Sequence, residues 1–169
     1  TWTIDGKIWS DVVMATGCKK NDFGGGETGN YIADCRQNEG YGDLYSWEAV
    51  NRYQVVLCPN GWQVPTTDDF FALDTVLGGE GKNITPSEPT LLNAYLNEWG
   101  ASYGGYCNSS NGGTISQQGS IAHYWSKSHF GVAFGVDSSY ELELSTTRIY
   151  PKTLNGKNLG LMVRCVRNK

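Results

Sequence analysis

Two short strings limit what this chain can become: Cys58-Pro59-Asn60-Gly61-Trp62-Gln63-Val64-Pro65 near the middle and Val163-Arg164-Cys165-Val166 close to the end. Each sets a cysteine among residues that stiffen the backbone or fill a core, so they read as two halves of one structural knot. Pro59 and Pro65 bracket a segment that must stay extended, Gly61 permits a tight turn, and Trp62 is expected to fill the core beside the knot. We pair Cys58 with Cys165 and, locally across a glycine-rich loop, Cys18 with Cys35. Cys107 is left over, as a buried small apolar residue or a free thiol. None of the five cysteines has the C-x-x-C spacing of zinc ribbons or redox motifs. Two disulfides imply an oxidising compartment, extracellular or at the cell surface.

A length of 169 residues suits one domain over 1–169, long enough to bury roughly 70% of the surface that its unfolded form exposes. A formal net charge of -4, with 13 scattered Lys and Arg, argues against nucleic acid, because phosphate binding needs clustered basic residues. No apolar run approaches the ~20 residues that span a bilayer, so membrane insertion is not expected. Thr1 begins directly in strand-like sequence, as in a mature or trimmed domain.

The elements follow from local signals. Thr1 to Trp9 alternates apolar and polar residues around Asp5-Gly6, the mark of a β-hairpin. Residues 17–43, with Gly24-Gly25-Gly26, read as a long surface loop rather than a phosphate cradle, since no strand, helix or lysine frames the glycines. Tyr45 to Arg52 forms a short helix. Thr66 and Thr67 cap a second helix, with Asp68 and Asp69 at its positive end and Phe70, Leu73 and Leu77 as its apolar stripe. A third helix starts after Ser87 with Pro89 in its first turn and buries Leu91, Leu92, Tyr95, Leu96 and Trp99. Strands are expected at 103–107, 121–127, 131–137, 140–145 and 160–166, and an exposed loop between 145 and 160. Two to three helices on short antiparallel sheets make an α+β fold.

Several strings, in the same order, resemble the Fibrobacter succinogenes major paralogous domain (FISUMP): Ile4 to Trp9, Tyr41 to Trp47, Cys58 to Pro65 leading into a helix, Tyr124-Trp125-Ser126, and Lys157 through Gly160 into Val163-Arg164-Cys165-Val166. The resemblance covers nearly the whole chain. It implies a C-type-lectin-like fold in which the N-terminal hairpin pairs with the last strand and the later strands and loops face a ligand. It also implies a bacterial surface or secreted protein of gut or rumen, with the domain part of a longer chain, and raises the prospect of a diversity-generating retroelement variable protein.

Catalysis is not expected. The calcium-dependent sugar site of animal C-type lectins needs a Trp-Asn-Asp string that this chain lacks, and Glu88-Pro89 opens a helix instead. The formylglycine-generating relative depends on a late cysteine pair, where only Cys165 stands here. Glu141 and Glu143 share one face of a strand, which is expected to be solvated. His123 and His129 read as ordinary surface or loop residues without metal partners. No cofactor or metal is expected. What remains is Ser126, Lys127, Ser128, His129, Phe130, Asp137, Tyr140, Arg148, Tyr150 and Lys152, polar and aromatic residues on exposed turns over a rigid scaffold, the composition of a recognition surface. The expected function is non-catalytic ligand binding or adhesion, towards a protein or glycan on a host or neighbouring cell. The alternatives are a carbohydrate-active enzyme and a structural module of a surface, pilus-tip or phage receptor-binding assembly.

Overall fold

A computed structural model describes residues 1–4, 6–14, 34–108 and 112–169. Strands β1 (Trp2–Ile4) and β2 (Lys7–Val12) form the expected hairpin through a turn at Gly6, whose φ of +71° suits glycine. The last strand, β11 (Arg164–Asn168), pairs antiparallel with β2, giving the order β1-β2-β11. The chain ends therefore meet in one sheet.

Between them, β3 (Cys35–Arg36) and β4 (Leu44–Tyr45) pair briefly, and Ser46 then caps α1 (Trp47–Arg52). A single-turn helix, α2 (Gln54–Leu57), follows that the sequence did not signal, because its Val55 and Val56 lie 81% and 75% exposed and leave no apolar face to read. The start of α3 (Thr67–Val76) is a capping box: Thr66 accepts from the Asp69 amide and Asp69 accepts from the Thr66 amide. Lys7 pairs with Asp69 and so ties the hairpin to this cap. In α4 (Pro89–Asn97), Pro89 fills the first turn, where its missing N–H costs nothing, while the Glu88 carboxylate accepts from two amides.

The rest is strand. β5 (Tyr106–Asn108) lies between β6 (Ile115–Ser116) and β10 (Leu159–Gly160), and β8 (Val136–Ser145) lies between β7 (Ile121–Ala133) and β9 (Ile149–Gly156). Three expectations need correction here. The segment 145–160 is not an exposed loop: β9 pairs with β8, and Pro151 is accommodated because the register slips between Glu141/Thr153 and Glu143/Tyr150, leaving it in a bulge of an edge strand. The stretch 131–137 is not one strand: it holds the end of β7, the two-residue turn and the start of β8. The expected strand at 160–166 divides into β10 and β11. In addition, Trp62 is only half-buried. Asn60 and Gly61 both take positive φ and turn the chain at the surface. Trp62 then lies on the rim, with the Arg167 guanidinium 4.7 Å from its ring, while Val64 takes the interior position.

Two buried clusters flank β7. In the first, Trp99 is the hub, with Trp9, Phe70, Tyr95 and Tyr124 all meeting its ring edge-on at centroid distances of 4.9–6.4 Å. The second gathers Tyr45, Trp47, Val50, Val64, Trp125, Leu161 and Val163 around Cys58 and Cys165. Those two cysteines form the expected disulfide. Cys107 is a buried free thiol, pushed up to about 12 by burial. Cys35 is disulfide-bonded; the Cys18 side of the expected Cys18–Cys35 pair, and most of the 17–43 loop, lie outside the described residues.

Arg164 is 1% exposed and lies between the rings of Trp2 and Trp99, 4.3 and 4.1 Å from their centroids. Its Nε donates to the Ser10 carbonyl and its Nη1 to that of Trp99, and burial pulls the guanidinium down to about 10. Gly100 follows in a left-handed turn, where any Cβ would lie 2.3 Å from the Trp2 ring. Two stability measurements check this scheme. Replacing both Cys58 and Cys165 by Ser releases a 107-residue separation and should lower the denaturant-derived stability by about 2–5 kcal/mol. Arg164→Ala strands two buried carbonyls and empties the space between two indoles, and should cost about 3–5 kcal/mol, with Arg164→Lys losing less because it keeps a cation without the planar fork.

Candidate functional site

The β7–β8 hairpin carries apolar side chains out into solvent. Phe130 and Val136 are each 45% exposed, Val132 71%, and Phe134 is fully exposed. Phe134 and Gly135 form the two-residue turn between Ala133 and Val136, with φ of +50° and +77°. Both angles belong to the type I′ turn, which favours Asn-Gly and penalises a bulky side chain at the first position. A phenylalanine held there, touching little of its own chain, is not explained by packing.

Beside this tip lies an open groove of about 690 Å³. Phe134 and Tyr140 supply rings to its lining, and Lys152, Thr153 and Asn155 of β9 are polar residues among the same lining. The Lys152 ammonium stands 4.6 Å from the Tyr140 ring centroid, and Phe130 meets the same ring edge-on at 5.5 Å. Tyr140 is thus held from two directions, which fixes it as a platform.

The ten residues expected to form a recognition surface are not all brought together in one patch, and most stand on strands rather than loops. Phe130, Tyr140 and Lys152 come together, and Tyr140 and Lys152 line the groove. Ser126 is fully buried, contrary to expectation, because its hydroxyl donates to the Pro65 carbonyl where β7 passes the start of α3. Ser128 accepts from the Thr67 amide, Lys127 reaches Gln63, and His129 tilts over Trp47. Asp137 holds the buried ammonium of Lys157 at 2.8 Å. Arg148 and Tyr150 sit beyond the bulge in β9, Tyr150 bonded to the Thr85 hydroxyl and Arg148 5.8 Å from the Tyr150 ring. The residues that sequence reasoning missed are Phe134, Val136, Thr153 and Asn155. The Phe134-Gly135 pair was the available signal, since a residue before glycine between two apolar runs marks a hairpin turn.

A second constellation lies in the interior. His123, Glu141 and Glu143 are 4%, 1% and 7% exposed, so neither the solvated carboxylate face nor the surface histidine expected of them exists. Tyr106 covers the His123 ring edge-on at 5.6 Å, and two irregularities in the β7–β8 register decide which residues pair on this face. Carried straight down from Ala133 opposite Val136, the pairing would set His123 opposite Thr146; the irregularities bring Glu143 there instead. His123 Nδ1 lies 2.8 Å from Glu141 Oε2, and Asn155 donates to Glu141 Oε1 at 3.0 Å. Burial alone would lower the His123 pKa, but the charge and hydrogen bond of Glu141, with the charge of Glu143, outweigh it and hold it above the ordinary value. Burial, aided by the charge of Glu141, raises Glu143. Arg148 Nε lies 2.6 Å from Glu143 Oε1 as an ion pair, yet that oxygen makes no hydrogen bond, so the approach is off the N–H direction.

The sequence model of one family, described as the Fibrobacter succinogenes major domain, matches residues 18–167. No curated protein and no solved structure matches the chain. Among the described residues, no helix is long and apolar enough to cross a membrane.

The turn geometry carries a stability consequence. Phe134→Asn installs the favoured type I′ pair and relieves a left-handed phenylalanine, and should raise stability by about 0.5–1 kcal/mol in thermal or denaturant unfolding. An unchanged or lowered stability would mean that Phe134 packs against its own domain.

Proposed function

The chain belongs to the Fibrobacter succinogenes major domain family, and from that premise we propose that it is a non-catalytic ligand-binding module of a secreted or surface-displayed protein, with its ligand in the groove beside the β7–β8 tip. The observation that carries this reading is Phe134, a fully exposed ring kept in an unfavourable backbone conformation at the mouth of an open groove. A disulfide within the second core supports an oxidising location. The sheet that joins the chain ends supports the C-type-lectin-like assignment.

The groove chemistry favours a glycan. Sugar rings offer C–H faces to aromatic side chains and hydroxyls to neutral amides and hydroxyls, and this wall supplies Phe134 and Tyr140 for the first and Thr153 and Asn155 for the second. Lys152 adds one positive charge, suited to an acidic sugar. The non-catalytic part of the reading rests on where the carboxylates lie. Glu141 and Glu143 are absent from the groove lining and stand behind Asn155, whereas glycoside hydrolysis needs two carboxyls flanking the bond that breaks.

A glycan array and a panel of extended peptides, probed with wild type and with Phe134→Ala and Tyr140→Ala, test the proposal. Loss of either ring should weaken glycan binding by about thirtyfold, the effect of removing a central aromatic anchor. Undiminished glycan binding by both variants would remove the groove from the reading. Binding confined to peptides would replace the glycan, and release of cleaved sugar by wild type would make the domain an enzyme.

A further inference from the structure

We propose that His123, Glu141 and Glu143 form a buried site for one divalent transition-metal cation of the zinc type, held between β7 and β8. This goes beyond the groove reading and does not rest on it. The three side chains stand on one face of two adjacent strands, with His123 directly across from Glu143 and Glu141 two residues along. One donor atom from each lies within 4.8 Å of the others.

Two carboxylates this deep need compensation, and the protein's own groups give it only in part. Glu141 is satisfied: His123 Nδ1 faces one oxygen and Asn155 the other. His123 Nε2 and Glu143 Oε1 are not, both being buried without a hydrogen-bond partner. Native interiors seldom leave two such atoms in one cluster. The nearest cation is Arg148, whose side chain is 45% exposed and contacts Glu143 without a hydrogen bond. That guanidinium is free to withdraw into solvent when a metal ion takes over the charge.

The donor set selects the ion. The imidazole is a borderline ligand suited to zinc or its first-row neighbours, the two carboxylates add charge, and a further position is left open. Calcium needs about 6–8 oxygens, which this pocket lacks. Asn155, donating to Glu141, is the outer partner that orients a ligating carboxylate.

The test uses the folded domain, stripped with a chelator and dialysed. Zinc chloride titrated by calorimetry should bind at one ion per chain and raise the melting temperature, while calcium chloride should do neither. Cobalt chloride should give the visible absorption of a protein-bound ion. Glu143→Gln should weaken zinc binding by about tenfold or more, and His129→Ala should leave it unchanged. If Glu143→Gln does not fold, imidazole nitrogen shifts of the wild type decide, since zinc should move those of His123 and not those of His129. Absence of saturable zinc and cobalt binding, equal affinity in Glu143→Gln, dependence on His129, or an unmoved His123 ring would each overturn the site.

Discussion

One buried cation holds the architecture together. Arg164 carries its charge into the first core and is met there by the faces of Trp2 and Trp99 and by the carbonyls of Ser10 and Trp99. These groups come from β1, β2 and the second residue past α4, so a single guanidinium links the chain's beginning, its helical middle and its final strand. A lysine could supply the charge but not the flat surface that stacks between two indoles while its edges reach two carbonyls. Its neighbours extend the linkage. Cys165 bonds to Cys58 in the second core, Val163 packs in that same core, and Val166 belongs to the first and pairs with Gln63. Four consecutive residues therefore fasten both cores to the hairpin sheet.

That fastening explains the freedom elsewhere. With β7 sandwiched between the two cores as far as Ser126, the distal half of the β7–β8 hairpin bears little of the folding free energy. Its outer residues are exposed and apolar, which is costly to solubility and contributes little to stability. A left-handed phenylalanine at the tip is tolerated there because the sheet below it is already determined. Scaffold and recognition are thus separated along a single hairpin, the inner half packing and the outer half presenting.

The separation also governs what could be read from sequence. The capping box at Thr66 and Asp69, the first-turn Pro89 and the turn at Gly6 are local devices, and each was legible in a few residues. The cysteine strings were legible because their neighbours are so restricted. β9 was not, since Pro151 reads as a breaker until a partner strand and a bulge are known. The inward turn of His123, Glu141 and Glu143 was hidden for the same reason: period-two alternation gives a face only relative to a register, and two irregularities in β7 reset it. Trp62 misled differently. Its string correctly predicted the disulfide, but the turn at Asn60 and Gly61 assigns the interior place to Val64.

The buried cluster and the groove share one residue. Asn155 lines the groove, and its amide nitrogen donates to Glu141 while its side-chain oxygen accepts from the Gly156 amide. An amide anchored at both ends has one orientation to offer a ligand, and that orientation is set from behind by a carboxylate the ligand does not touch. A change at Glu141 therefore acts on the groove wall through Asn155, whether or not a cation is bound beside it. Loss of ligand affinity in a Glu141 variant would report the orientation of Asn155 rather than a direct contact. The distinction is physical: a positioning residue alters the geometry at Asn155 and leaves the rings of Phe134 and Tyr140 in place, whereas a contact residue removes its own share of the binding energy.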